Sequence, residues 1–290
     1  MSIMNYKEKF WKQGFLHLPT IYNKKEIQQL TTDLEWMMVD WAENTPGWSG
    51  PWRKKYMDSE TNKKSKLIAM HDLQFYTSSW MQAVIKPNLI SVLENLIGPE
   101  LELHHSTMHI KPPSTGHPFP MHQDWAFYKH QDSRFVDVLI HLDDTCHENG
   151  EIRFLEGSHM GGALKHVVQN EDGTPCTPHL PTEKYRLEDT VAVPAKKGDV
   201  VMFNINTIHG SFINSTLKPR KLVRVGYRNP DNIQTEGQSC GRPGLMIRGT
   251  RKRKKGDELF SSNGPKDITS ADTFSVGSSP EILDSKRISS

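Results

Sequence analysis

Two short motifs in this sequence carry side chains that could hold a metal ion. In PMHQDW (120–125), His122 and Asp124 are two residues apart, so in a β-strand both would project from the same face. A second histidine, His209, follows the apolar stretch 200–203 and lies in a similar strand context. A His-x-Asp triplet alone is weak evidence in a chain with 14 histidines. The two motifs together favour one metal site with His122, Asp124 and His209 as its ligands.

The ligand types also indicate which metal such a site would take. Two histidines and one carboxylate on one face of a metal leave its other positions open, which suits non-haem Fe(II) because it must bind a co-substrate and O2 together. A structural zinc site would need a fourth protein ligand, and neither motif has a neighbouring cysteine. The pattern therefore favours a catalytic iron centre.

A candidate anion anchor follows the second histidine. Arg220 lies eleven residues after His209, at the start of a predicted strand, and Ser211 would share the face of His209. A guanidinium can bind a carboxylate through two hydrogen bonds, and a hydroxyl can add a third. The pair therefore resembles a dicarboxylate anchor. The alternative is that Arg220 is a solvated residue in a basic cluster with Lys218, Lys221 and Arg224.

The elements that must position these side chains change in character along the chain. Up to Gly98 the pattern predicts helix 7–13, strand 15–18, a helix from Asn23 with a capping box to Glu26, and helix 81–97. The apolar positions of the second helix are Ile27, Leu30, Leu34, Met38 and Trp41, and residues 43–64 read as a surface loop.

Short alternating runs follow, and they predict strands at 101–111, 135–142, 150–155, 191–193, 200–203 and 222–227. Helices followed by many short strands favour an antiparallel β sandwich or barrel with helices packed outside it.

Four parts of the sequence carry a family resemblance: MHQDW (121–125), HLDDTCHENGEIRFLEGSH (141–159), GDVVMFNINTIHGS (198–211) and Arg220. Together they resemble the phytanoyl-CoA dioxygenase family of Fe(II)- and 2-oxoglutarate-dependent oxygenases, over residues 7–249. The resemblance implies a mainly β protein with flanking helices, built on a double-stranded β-helix (jelly-roll, cupin-like) core. It also implies iron on His122, Asp124 and His209, and 2-oxoglutarate held by Arg220 and Ser211, with His109 as a further contact.

The resemblance further implies an activity, in which 2-oxoglutarate and O2 are converted to succinate and CO2 while a C–H bond of a small organic substrate is hydroxylated. Halogenases of the family have a small residue in place of the carboxylate ligand, whereas Asp124 is present here. Hydroxylation is therefore the leading expectation. Desaturation, epimerisation or cyclisation on the same scaffold, and a metal- or ligand-binding protein without catalysis, are the alternatives.

Residues near the metal motif are candidates for the substrate pocket. Trp125, Phe127 and Tyr128 follow the motif, where a substrate would pack at the barrel mouth, and His105 and Asn206 could add polar contacts. The alternatives are packing under a loop for the aromatic residues and hydrogen bonds within the sheet for the polar ones. The sequence does not identify the substrate or the oligomeric state.

Composition limits the class of protein and its partners. The chain has 290 residues, and residues 1–250 contain equal numbers of acidic and basic side chains, which argues against broad binding to nucleic acid or anionic membranes. No apolar stretch is long enough to span a membrane, and three widely spaced cysteines suit a reducing compartment, so we expect a cytoplasmic protein. We predict one catalytic domain, 1–250, and a basic, disordered tail, 251–290.

Overall fold

The computed structural model describes residues 3–252, so almost all of the predicted tail, 251–290, lies outside the described residues. The α-helices in this range are α1 (Ile3–Gln13), α2 (Lys24–Asp40), α3 (Arg53–Tyr56), α4 (Ser59–Lys64), α5 (Ser78–Val84) and α6 (Pro87–Ile97). The first eight strands are β1 (Phe15–Leu18), β2 (Glu43–Thr45), β3 (Leu67–His71), β4 (Leu101–Lys111), β5 (Phe119–His122), β6 (Tyr128–His130), β7 (Phe135–His141) and β8 (Ile152–Phe154). The remaining strands are β9 (Val167–Gln169), β10 (Pro175–His179), β11 (Val191–Val193), β12 (Val200–Asn204), β13 (His209–Ser211), β14 (Arg220–Arg228), β15 (Gln234–Gly237) and β16 (Leu245–Arg248).

Two antiparallel sheets form the core of the fold. The larger has the strand order β1-β12-β7-β14-β4-β3-β2, with β16 also paired to β4, and the smaller has the order β11-β8-β13-β5. Side chains of both sheets pack in one apolar cluster, in which Leu139 and Phe203 of the larger sheet meet Phe154 and Val193 of the smaller. The predicted jelly-roll core, a double-stranded β-helix with a mainly β composition, is confirmed.

The helices cover the outer face of the larger sheet. Alternate residues of β7 and β14, such as Val138 and Val223, point away from the barrel interior and pack in one cluster with Leu34 of α2 and Leu93 of α6. Because strand residues alternate between the two faces, the intervening residues of β7 and β14 point into the barrel. The sheet therefore has an apolar outer face under helices and an inner face that is available for chemistry.

The start of α2 agrees with its sequence pattern. Asn23 Oδ1 accepts hydrogen bonds from the amides of Lys25 and Glu26, and Glu26 Oε2 accepts one from the Asn23 amide. The predicted capping box is thus confirmed.

The end of α2 differs from the prediction. Met37, rather than Met38, continues the buried stripe after Leu34, and Trp41 is 55% exposed. The helix ends at Asp40, so Trp41 falls outside it and no longer follows the helical face.

Two other predicted elements were wrong in detail. Residues 81–97 form two helices rather than one, because Pro87 has no amide hydrogen to donate and disfavours helical geometry in the residue before it. Residues 43–64 are not a simple surface loop, since they contain β2, α3 and α4, and Trp52 is buried. Burial of its apolar side chains holds this segment against the barrel.

Candidate active site

The two candidate histidine ligands meet because their strands pair. His122 is the last residue of β5, His209 is the first residue of β13, and the two are direct partners in the antiparallel register. Their ring centroids are 4.1 Å apart, and both side chains are buried. Residues that are far apart in the sequence are thus neighbours in the smaller sheet.

Asp124 reaches the same point by a different route from the predicted one. The strand ends at His122, and Asp124 begins a short 3-10 helix, Asp124–Ala126, so simple strand alternation does not place it. Its Oδ1 atom nevertheless lies 3.4 Å from His122 Nε2 and 3.8 Å from His209 Nε2. One potential ligand atom of each residue lies within 4.8 Å of the others, which brings all three predicted ligands together.

Hydrogen bonds on the far side of each imidazole direct its other nitrogen to the centre. His122 Nδ1 lies 2.7 Å from the Pro120 carbonyl oxygen, and His209 Nδ1 lies 2.9 Å from that of Thr207. A carbonyl oxygen only accepts, so each Nδ1 carries a hydrogen, and in the neutral imidazole Nε2 is then the atom with a lone pair for a metal. Burial and the neighbouring His122 ring lower the pKa of His209 to about 3, which keeps this imidazole neutral.

Arg224 contacts the candidate carboxylate ligand, although sequence reasoning placed it only in a basic cluster. Its Nη1 lies 2.8 Å from Asp124 Oδ2, and the side chain is buried. Burial opposes ionisation of Asp124, but Arg224 and His209 hold its pKa well below the usual value. The even spacing of Arg220, Arg224 and Arg228 along one strand was the available signal, because it places all three on one face.

One cavity connects the histidine pair with the predicted anion anchor. Arg220 is 3% exposed and lines this cavity, so the alternative of a solvated basic residue was wrong. Ser211 and His109 also line it, and burial together with Arg224 lowers the pKa of His109 well below its usual value. The full lining comprises Trp48, His109, Phe119, His122, Leu139, Gly150, Ile152, His209, Gly210, Ser211, Arg220, Leu222 and Arg224.

Trp48 forms part of this lining, although it falls in the segment predicted as a surface loop. Its ring centroid is 4.7 Å from that of His122 and 4.8 Å from that of Phe119. Arg53 Nη1 donates a 2.7 Å hydrogen bond to the Trp48 carbonyl oxygen, which holds the segment in place. A tryptophan between turn residues was the only sequence signal, and it gave no indication of which surface Trp48 would cover.

The sequence profile of the phytanoyl-CoA dioxygenase family (PhyH) matches residues 10–222, most of the chain. The chain belongs to the PhyH family. It is 26% identical over 257 residues to a probable alpha-ketoglutarate-dependent hypophosphite dioxygenase of Stutzerimonas stutzeri, which covers 84% of this chain and 85% of the relative. It is 23% identical over 248 residues to an L-proline trans-4-hydroxylase of Streptomyces griseoviridis, which covers 79% of this chain and 88% of that enzyme.

Two solved structures share the fold of this chain. The carbocyclase SnoK of nogalamycin biosynthesis matches with a TM-score of 0.67 and 19% identity, over 86% of this chain and 94% of that one. EctD of S. alaskensis with bound Fe matches with a TM-score of 0.60 and 19% identity, over 82% and 80%. The PhyH-family protein described here is thus a 2-oxoglutarate-dependent non-haem iron dioxygenase, with Fe(II), 2-oxoglutarate and O2 as its cofactor and co-substrates.

The buried donor set of this PhyH-family protein fits iron. Asp124 Oδ1 accepts no hydrogen bond from any residue in the described range, although it is fully buried. A buried carboxylate oxygen that faces the Nε2 atoms of two histidines is an arrangement that a divalent cation would satisfy. His122 and His209 also line the cavity, so an ion held by these three side chains would be accessible from it.

The three aromatic residues predicted to contact substrate, Trp125, Phe127 and Tyr128, lie in one apolar cluster around Phe135, and none of them lines the cavity. Phe127 also packs against Trp48, which does line the cavity, with ring centroids 4.8 Å apart. This placement corresponds to the packing alternative for Trp125 and Tyr128.

The two polar candidates, His105 and Asn206, do not line the cavity either. His105 lies beside the Tyr128 ring at a centroid distance of 5.0 Å. The Asn206 backbone carbonyl accepts a 2.7 Å hydrogen bond from Gln123 Nε2. Both residues therefore support the wall around the metal motif rather than its open face.

Within residues 3–252, no helix combines the length and the apolar character that a membrane span requires.

Proposed function

We propose that this PhyH-family dioxygenase hydroxylates a C–H bond of a small organic molecule, with iron on His122, Asp124 and His209 and 2-oxoglutarate held by Arg220 and Ser211. The observation that carries the proposal is that one cavity is lined by both candidate histidine ligands and by the buried Arg220 and Ser211. Bound iron would supply the activation of O2 with the electrons of 2-oxoglutarate, which gives succinate and CO2.

The side chains of the chain itself bind and orient the reactants. The guanidinium of Arg220 is suited to two parallel hydrogen bonds with the distal carboxylate of 2-oxoglutarate, and Ser211 is placed to add a hydroxyl donor. Trp48, Phe119 and Ile152 give the cavity apolar walls that limit the access of water. His109 lines the same cavity and is assigned as a further polar contact with 2-oxoglutarate.

The substrates named for two relatives support a small substrate. One relative is a probable hypophosphite dioxygenase and the other an L-proline trans-4-hydroxylase, and both molecules are small. Phe127 and Trp48 are the proposed apolar contacts of the substrate at the cavity border. A cytoplasmic location stays a prediction from the cysteine content.

An anaerobic titration tests the cofactor assignment. Fe(II) and then 2-oxoglutarate are added to the apoprotein, and the visible charge-transfer band of a chelated keto acid is measured. The wild type should develop the band, Asp124→Ala should lose Fe(II) binding, and Arg220→Ala should need far more 2-oxoglutarate. Lys218→Ala, which removes a neighbouring exposed cation, is the matched control and should titrate like the wild type. Full band formation at wild-type concentrations in both Asp124→Ala and Arg220→Ala would contradict the proposal.

The mass of the product tests the reaction outcome. A substrate panel is first screened by succinate release, and the product is then analysed by mass spectrometry. A gain of one oxygen atom supports hydroxylation, whereas a loss of two hydrogens indicates desaturation or cyclisation and an unchanged mass indicates epimerisation. Retention of Asp124, which would occupy the position that halide needs, predicts that chloride in the buffer is not incorporated.

A further inference from the structure

Trp48 is held beside the candidate metal ligand His122 by side chains rather than by a helix or strand. It belongs to residues 46–52, with the sequence PGWSGPW, which lie between β2 and α3. The backbone amide of Trp48 donates a 3.0 Å hydrogen bond to His117 Nε2, and its carbonyl oxygen accepts a 2.7 Å hydrogen bond from Arg53 Nη1. Both backbone polar groups of Trp48 thus have side-chain partners. These two contacts fix the backbone at Trp48 and hence the position of its ring.

The imidazole of His117 is oriented to accept the Trp48 amide. It is fully buried, and its Nδ1 lies 3.2 Å from Ser65 Oγ. Because Nε2 accepts from an amide, the hydrogen of the neutral ring is on Nδ1, where the Ser65 hydroxyl oxygen can accept it. Burial, followed by the charges of Arg53 and Lys111, lowers the pKa of His117 well below its usual value. The ring therefore stays neutral, and Nε2 stays an acceptor.

The backbone of the segment 46–52 lies directly on the His117 ring. Gly47 has a φ of +83°, and a Cβ atom at this position would lie 2.6 Å from His117 Cγ. Glycine suits both this backbone angle and the close approach. Trp52 packs edge to face against the same imidazole, with ring centroids 5.4 Å apart. His117, two residues before β5, is thus the point at which the segment is attached to the barrel.

The ring of Trp48 covers the region where a substrate would lie. Its centroid is 4.7 Å from that of His122 and 4.8 Å from that of Phe127. Trp48 lines the cavity together with both candidate histidine ligands, whereas His117 does not line it. Any effect of His117 on the reactants must therefore pass through a neighbouring residue.

We propose that His117 is a positioning residue of the active site, which holds Trp48 against His122 as a fixed aromatic wall of the substrate region. This inference rests on the proposed function, since it takes His122 as a metal ligand and Trp48 as a substrate contact. It goes further because it assigns the geometry of this wall to a side chain that touches neither substrate nor metal. The acceptor atom Nε2 carries the role.

Fluorine NMR of the protein labelled with 5-fluorotryptophan tests the role. The chain has seven tryptophans, and the Trp48 resonance is identified as the one that is missing in Trp48→Phe. In the metal-free protein, the difference in its frequency between H2O and D2O reports its exposure to solvent. With Fe(II) bound, its broadening reports its closeness to the metal, because paramagnetic broadening falls steeply with distance.

Matched variants separate the hydrogen bond from other effects of the substitution. His117→Leu removes the acceptor, so the Trp48 resonance should move, its solvent isotope shift should rise and its broadening by Fe(II) should be largely lost. His117→Gln can place an amide oxygen near the position of Nε2, so it should restore the wild-type resonance. His159→Leu is the control, because it removes another buried histidine, whose Nε2 lies 3.1 Å from the Trp11 carbonyl oxygen. It should leave the Trp48 resonance unchanged.

Kinetics connect this geometry to the reaction. A substrate panel is screened by succinate release, and kcat and KM are measured for each compound that is accepted. A displaced wall binds substrate and transition state less well, so His117→Leu should lower kcat/KM by up to about a hundredfold, mainly through KM. Trp48→Ala combined with His117→Leu should be little worse than Trp48→Ala alone, because His117 acts through Trp48.

Three results would overturn the inference: a Trp48 resonance that His117→Leu leaves unchanged, equal changes in His117→Leu and His117→Gln, or additive kinetic effects in the double variant. If the wild type binds no Fe(II) or converts no compound of the panel, the proposed function fails, while the spectra of the metal-free protein still decide the role of His117. Should His117→Leu not fold, His117→Asn replaces it. This variant keeps a polar group near the position of Nδ1 but does not reach the Trp48 amide, so it should show the same changes.

Discussion

The two oxygen atoms of Asp124 face different partners. Oδ1 is directed to the Nε2 atoms of His122 and His209, while Oδ2 contacts Arg224 Nη1 at 2.8 Å. Arg224 thereby leaves only one carboxylate oxygen free for a metal. A carboxylate that ligates through one oxygen occupies one position on the ion, which preserves the open positions that 2-oxoglutarate and O2 need.

Substitution of Arg224 by leucine tests this division. Asp124 would keep its buried charge without a cation, so the free energy of unfolding of the metal-free protein should fall by about 3 kcal/mol. Added Fe(II) should raise the melting temperature more in Arg224→Leu than in the wild type, because the metal replaces the lost positive charge. Thermal unfolding with and without Fe(II) measures both effects. Arg224→Lys keeps the charge and is the control; equal stability of Arg224→Leu and wild type would refute the role.

At the scale of residues, sequence motifs identified the candidate metal ligands and the anion anchor. They did not identify Arg224, which acts on the site through its contact with Asp124. His122, Asp124, His209 and Arg220 stand at spacings that carry chemical meaning, and all four are brought to one site. Arg224 looks like an ordinary basic residue in the sequence. Its spacing from Arg220 and Arg228 places it on their strand face, but its importance depends on burial and on its contact with Asp124, which spacing alone does not encode.

At the scale of elements, strands were predicted well because the alternation of their side chains reflects burial on two faces. Strands 15–18, 101–111 and 191–193 have the predicted bounds. Prediction failed where turn or proline residues indicated one structure and the pattern of apolar residues or their burial favoured another. The proline that divides α5 from α6 lies inside a continuous apolar pattern, and the segment 43–64 has turn chemistry although it is packed on the barrel.

The cap of α2 allows a quantitative test at this scale. Asn23→Ala removes the side-chain acceptor for two backbone amides, so the free energy of unfolding should fall by about 1 kcal/mol. Asn23→Asp keeps an acceptor at the positive end of the helix dipole and should be nearly as stable as the wild type. Urea unfolding monitored by circular dichroism compares the three proteins. A stability of Asn23→Ala equal to that of Asn23→Asp would show that the cap does not stabilise the helix.

At the scale of the whole molecule, the chain buries many of its histidines in neutral form. Burial is the main cause that lowers the pKa of His130 and of His166 to about 4 and that of His141 to about 3. In the unfolded chain these groups take up protons near pH 6.5. Asp137 has the opposite effect, because burial and Asp124 raise its pKa well above the usual value. The raised pKa of Asp137 therefore offsets part of the pH dependence of stability that the buried histidines cause.

The stability of the metal-free protein should consequently fall as the pH decreases from about 6.5 to about 4. Below pH 6.5 the unfolded state binds more protons than the folded state, so each buried histidine costs about 1.4 kcal/mol per pH unit until its folded pKa is reached. Urea unfolding at several pH values measures the slope. His141→Gln should reduce the slope by one such increment, whereas His147→Gln, which alters an exposed side chain, should leave it unchanged. A stability that does not change between pH 7 and pH 5 would contradict the neutral burial of these imidazoles, since protonation of the unfolded chain alone must lower it.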